Sequence, residues 1–169
     1  MVCNMDEVKV MDEKQRSESL NLPVERETIQ YIVIQLGNEQ YGIDIKYISN
    51  IVRMQKITRV PKVASYINGV INLRGEVIPT ISIRMKMGLE EDEITKKTRI
   101  IILKLEQHES IGILVDEVKE VVTLDDEHIE RVSYDKDDKA KFLRGVGKVD
   151  GKLISLLEIN SVLSDTADF

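Results

Sequence analysis

Chemistry at a protein site needs a nucleophile, a base, a set of metal ligands or a cradle for phosphate. This chain of 169 residues offers few of these. Its two histidines are His108, in Glu106-Gln107-His108-Glu109-Ser110, and His128, at the end of Asp125-Asp126-Glu127-His128. Neither has the HxH or HxxxH spacing that brings two imidazoles to one ion, so both read as solvated turn residues and no metal is expected. Asp125-Asp126 and Glu90-Glu91 are neighbours in loops, whereas a general acid and base come from separate elements converging on a pocket. Arg144-Gly145-Val146-Gly147-Lys148 comes nearest to a phosphate loop, but it lacks the Ser or Thr and runs on as strand at Val149. Gly69 and Gly75 flank a hairpin and open no helix. Cys3 is the only cysteine, which excludes an internal disulfide and suits a reducing compartment. The expectation is a protein that is not an enzyme and carries no cofactor.

The balance of charge narrows the classes further. A net charge of −6 opposes nucleic acid, which is met by a basic field, and with no Trp and two Phe there is little to stack on bases. The longest apolar runs, such as Arg99-Ile100-Ile101-Ile102-Leu103, fall far short of the ~20 residues that cross a bilayer, so no direct membrane insertion is expected. The start, MVCNMDEVKVMDEKQ, is too acidic for a signal peptide, and the chain reads as cytoplasmic. Residues 1–27 keep no period of 2 or 3.6 and read as a disordered tail.

The elements that would position any site begin at Gln30. Tyr31 to Leu36 and Gln40 to Ile45 alternate around Gly37-Asn38-Glu39, the pattern of a β-hairpin. Lys46 to Val52 then places Tyr47, Ile48, Ile51 and Val52 at spacings of three to four, which predicts a short helical turn. This order occurs twice. Gly42 to Val52 aligns without gaps on Gly112 to Val122, an offset of 70, and Ile67 to Ile83 aligns on Leu143 to Ile159, an offset of 76. The second alignment matches Gly69 with Gly145 and Gly75 with Gly151, the turn and structural glycines of the two copies. A duplicated unit of about 65 residues follows: hairpin, helical turn, connection, second hairpin. Each unit suggests a small antiparallel barrel, giving an all-β protein with short helices in two lobes, roughly residues 28–90 and 95–166. A 60-residue lobe buries only about 60% of its unfolded surface, so the two should pack together and leave a groove between them. The polar run Met87 to Lys97 reads as the hinge, Asp125 to Lys141 as an inserted loop, and Ile159, Val162 and Leu163 as one face of a closing helix. The stripe Ile48, Ile51, Val52, Val118, Val121, Val122 reads mostly as core that covers the barrels; the functional reading is that part of it lines the groove and takes a partner helix by its apolar face. The rival reading is a barrel that binds a small ligand or RNA.

Gly69-Val70-Ile71-Asn72-Leu73-Arg74-Gly75-Glu76-Val77-Ile78-Pro79, preceded by Tyr41-Gly42-Ile43-Asp44-Ile45 and Val60-Pro61, resembles the CheW family of chemotaxis coupling proteins over about residues 28–163. The resemblance implies two SH3-like five-stranded β-barrels. It also implies an adaptor that joins the histidine kinase CheA, through its regulatory domain, to the cytoplasmic tip of methyl-accepting chemoreceptors, and so lies at the inner face of the membrane in receptor arrays. It makes Arg74 the leading receptor-facing candidate, with Ile48 and Ile51 as apolar contacts and Val118 facing them from the second lobe. Asn50 stands where the family often has a Glu that pairs with the arginine, and Ser82 where an Asp is common. Arg74-Gly75 also departs from its twin, Asp150-Gly151, which is the pair a type I′ turn favours. In such a turn the arginine costs about 1–2 kcal/mol; a type II turn would avoid most of that.

Overall fold

A computed structural model describes residues 27–105, 109–131 and 140–164. His108, the proposed tail short of Glu27 and the loop Asp135 to Lys139 lie outside them. Among the described residues eleven strands form two sheets. In chain order β1 (Thr28–Leu36), β2 (Glu39–Asp44), β3 (Ile48–Arg53), β4 (Ile67–Leu73) and β5 (Glu76–Ser82) come from the first copy. β6 (Arg99–Lys104), β7 (Ser110–Val115), β8 (Glu117–Asp125), β9 (Ile129–Glu130), β10 (Leu143–Val149) and β11 (Lys152–Leu157) come from the second. Helix is confined to short pieces, the longest being α1 (Ile83–Lys86) and α2 (Ile159–Leu163).

The sheet orders are β3-β6-β7-β5-β4 and β8-β1-β2-β11-β10-β9. Each sheet therefore takes the leading hairpin of one copy and the remaining strands of the other. The expected lobes, contiguous in sequence and parted near residue 90, are not the units of the fold. Met87 to Lys97, expected to be the hinge between them, joins β5 to β6 within the five-stranded sheet. The parallel contacts that weld each borrowed hairpin in place are equivalent: Leu156 pairs with Gly42 and Thr80 with Gly112. A Cβ on Gly42 would lie 2.8 Å from Leu156 Cδ2, and one on Gly112 3.0 Å from Thr80 Cγ2, so at both places the neighbouring side chain packs directly on the glycine.

The predicted helical turns are a second correction. Only Ile45–Tyr47 is helical, a single 3-10 turn, while Ile48 to Val52 and Val118 to Val122 lie in strands β3 and β8. Ile and Val lose side-chain freedom in a helix and pack well on a pleated surface. The misleading spacing comes from a bulge. Against β6, pairing steps from Ile48↔Leu103 to Asn50↔Ile102 and skips Ser49; against β1, it steps from Ile34↔Val118 to Val33↔Glu120 and skips Lys119. Ser49 and Lys119 are equivalent at the offset of 70. One extra residue shifts the apolar alternation and leaves gaps of three and one, which mimic a helical face.

Three apolar clusters hold the molecule. The largest draws on both sheets, including Ile34, Leu36, Tyr41 and Ile43 from one and Ile81, Ile101, Leu103 and Ile113 from the other, with Ile159, Val162 and Leu163 of α2 closing it. Each sheet also encloses a smaller cluster, around Tyr31, Val122 and Leu156 in one and Ile71, Ile78 and Ile102 in the other. At about 1.5–3 kcal/mol per fully buried aliphatic side chain, the shared cluster makes the two sheets one cooperative body.

Candidate functional site

Arg74 lies at the tip of the β4–β5 hairpin. Its φ is +52° and that of Gly75 is +84°, while Asp150 and Gly151 have +50° and +77°. Both hairpins are therefore type I′, and the strain-free type II alternative is not used. What holds the first turn is local: Asn72 Oδ1 accepts a hydrogen bond from Gly75 N at 3.0 Å. The twin has Lys148 at that place and relies on Asp-Gly itself. The Arg74 side chain is exposed, and among the described residues it has no hydrogen bond or ion pair. Asn50 does not reach it; its Oδ1 accepts from Ile51 N at 2.9 Å and serves the bulged strand.

The other candidates gather elsewhere. Ile48, Ile51 and Val118 are half-buried, and all three pack against the cluster shared by the two sheets. Ile48 opens β3 and Val118 is the second residue of β8, so the fold brings equivalent residues of the two copies to the same core from opposite sheets. Leu73, beside Arg74, packs instead on the inner cluster of the five-stranded sheet. The candidates thus form an apolar group at the sheet junction and a separate cation on a hairpin tip.

The glycines have distinct tasks. A Cβ on Gly69, whose φ is +143°, would sit 2.2 Å from the Thr58 carbonyl oxygen, where an incoming segment bridges Val70; one on Gly145 would sit 2.7 Å from the Glu130 carbonyl oxygen. Gly75 and Gly151 have open space around them and are set by positive φ alone.

Ser82 was expected as a surface position lacking an acid. It is fully buried, and its Oγ accepts from Met85 N at 3.2 Å and donates to Asp92. A carboxylate thus arrives from the loop instead. Burial pushes the Asp92 carboxyl above its usual range, against the pull of Ser82 and Arg84, and its Oδ1 is buried without a partner. Sequence reasoning also missed Arg84 and Asp116, whose fork-to-carboxylate pair has Nε to Oδ1 at 3.0 Å and Nη2 to Oδ2 at 2.5 Å. The bond to Asp116 holds the guanidinium above its ordinary pKa. No local motif links these residues, 32 positions apart; only the sheet order does.

A groove of about 550 Å³ lies between the segment after β3 and the β5–β6 loop, lined by Ile57, Val63, Met85, Asp92 and Ile94 among others. Among the described residues no group of three or more His, Cys, Asp or Glu could hold a metal ion, and no helix is long and apolar enough to cross a membrane. His128 is turned onto Asp125, whose carboxylate also accepts from His128 N at 3.1 Å, which ties it to its own turn.

The fold and these surfaces define a class: a duplicated β-protein of two sheets with exchanged hairpins, presenting an apolar junction and a strained cation. Residues 30–167 match the family model of the CheW-like domain. The chain belongs to that family, and its role is that of a chemotaxis coupling adaptor or scaffold. It is 31% identical over 160 residues to the chemotaxis protein CheW of Helicobacter pylori, covering 94% of this chain and 96% of that one. To the chemotaxis protein CheW of Bacillus subtilis it is 38% identical over 134 residues, covering 78% and 85%. It also resembles the crystal structure of the scaffolding protein TtCheW from Thermoanaerobacter tengcongensis, with a TM-score of 0.74, 30% identity and coverage of 84% and 92%.

Proposed function

We propose that this protein is a non-catalytic adaptor, working in the cytoplasm at the inner face of the membrane, that couples a CheA-type histidine kinase to the cytoplasmic tips of chemoreceptors. The receptor tip is read by Arg74 together with Ile48, Ile51 and Val118, while Asn50 acts by holding the bulge of β3 and not by pairing with the arginine. The kinase's regulatory domain docks on the side of the five-stranded sheet, where Gly69 to Ile83 form the β4–β5 hairpin and the start of α1. The second sheet offers a further kinase contact that can close rings in an array. Val77 and Leu153, equivalent in the two copies and 64% and 68% exposed, supply an apolar contact point on each sheet.

One observation supports this reading above the rest. Arg74 keeps a left-handed backbone conformation that costs an arginine about 1–2 kcal/mol, at the place where the twin turn keeps Asp. Strain retained at an exposed tip argues for use of the side chain. Arg74→Glu is expected to fold normally and to lose co-sedimentation with receptor-containing membranes. Unchanged co-sedimentation contradicts the assignment.

A further inference from the structure

The sheet orders leave the chain only two crossings between sheets: Ile45–Tyr47, between β2 and β3, and Asp116, between β7 and β8. They are equivalent at the offset of 70. Two such strands keep the sheets from parting but leave them free to rotate about the line that joins the crossings, except as the shared core resists. Each crossing is met by an aspartate and an arginine, and the two differ sharply. At the first, Asp44 accepts from Lys46 N at 3.0 Å, while Lys46 Nζ stands 3.7 Å off and Arg144 Nη1 4.0 Å off. Those two cations are 62% and 40% exposed, so they hold little.

At the second, the ties are more numerous and the ion pair itself is short and directed. Arg84, only 13% exposed, forks onto Asp116 and spends its remaining nitrogen, Nη1, on the carbonyls of Glu90 and Glu91 at 3.4 and 3.2 Å. Asp116 in turn accepts from Gly37 N at 2.9 Å, and its own N–H donates to the Gln35 carbonyl at 3.1 Å. Arg84 follows β5 of the five-stranded sheet; Gly37 and Gln35 belong to the β1–β2 hairpin of the six-stranded one. The pair therefore bolts the crossing to both sheets at once. A guanidinium fork fixes direction as well as distance, which a lysine cannot do.

We propose that Arg84 and Asp116 form a latch that sets the mutual orientation of the two sheets, and with it the spacing of Ile48 and Val118. Ile48 opens β3 and Val118 is second in β8, the strands that leave the crossings, so a small rotation there moves them relative to one another. The latch is a positioning device and touches no partner. Its bearing on receptor docking rests on the reading given above.

The test uses the full chain with Cys3→Ser and spin labels at Ser49→Cys and Glu120→Cys, exposed positions on β3 and β8. Double electron–electron resonance then reads the distance between the sheets. Arg84→Gln and Asp116→Asn are expected to broaden the distribution, and Arg84→Lys to do so although it keeps the charge. Arg144→Gln, at the loose crossing, is expected to leave it narrow. Circular dichroism identifies which variants keep the native fold, and Arg84→Lys, the mildest, secures the comparison. Affinity for a receptor-tip fragment is expected to fall about threefold to tenfold in Arg84→Gln. A distribution as narrow in all three latch variants as in the parent overturns the latch, whatever the affinity does. Equal broadening in Arg144→Gln overturns its assignment to the Arg84 crossing. Broadening with undiminished affinity leaves the latch standing and overturns the receptor surface.

Discussion

Arg74 holds φ +52° with nothing to keep it there except the hydrogen bond that Gly75 N donates to Asn72 Oδ1 across the turn. Asn and Asp visit this region several-fold more readily than other residues, because their short polar side chains bond locally. Arg74→Asn should therefore raise stability by about 1 kcal/mol, seen as a rise of about 2–4 °C in the thermal midpoint, while receptor coupling falls. A variant that gains stability and keeps full coupling would show that the arginine is an ordinary surface residue. The oddity of Arg74 was legible in the sequence because the twin turn supplied a control; the turn type was not, since Gly75 suits type I′ and type II alike. Asn50 was read as a weakened partner for the arginine. Its side chain is committed to the bulge next door, a role set by strand register that no single residue announces.

Among the elements, the β5–β6 loop carries an acid, Asp92, whose raised pKa bears on the fold. Asp92 sits on Ser82 with its other oxygen buried and unpaired, faced by Arg84 of α1 and Asp116 beyond it, with Glu91 and Glu93 on its own loop and Arg59 and Lys62 across the groove. Burial raises its folded pKa above the unfolded value of 3.8. The native state then binds the proton more tightly, so stability falls as pH rises from the unfolded value through the folded one and is flat above it. Asp92→Asn removes this slope. Its stability relative to the parent, measured by urea denaturation, should rise across that window; a constant difference would mean that Asp92 titrates normally. The strands themselves were legible as alternating runs bounded by Gly turns. The bulges at Ser49 and Lys119 were not, and they turned strand into apparent helix by shifting the alternation by one residue.

For the whole molecule, the offsets of 70 and 76 disclosed a duplication and hence two like units, but not that the units trade their leading hairpins. Local pattern specifies that Tyr31 to Leu36 pairs with Gln40 to Asp44; it is silent on which β3-like strand the hairpin then joins. That choice is settled by packing, through Leu156 over Gly42 and Thr80 over Gly112, and by the cluster that both sheets share. The exchange is also what brings Ile48 and Val118 to one junction and gives Arg84 a carboxylate 32 positions away. The central claim, that the receptor tip is read by this junction together with the separate Arg74 on its hairpin tip, is tested most directly by titrating the labelled protein with a receptor-tip fragment and following its backbone amide resonances. Shifts concentrated at Arg74, Ile48, Ile51 and Val118 and their neighbours are the predicted result; shifts scattered over the far strands of either sheet, with these four unmoved, would contradict it.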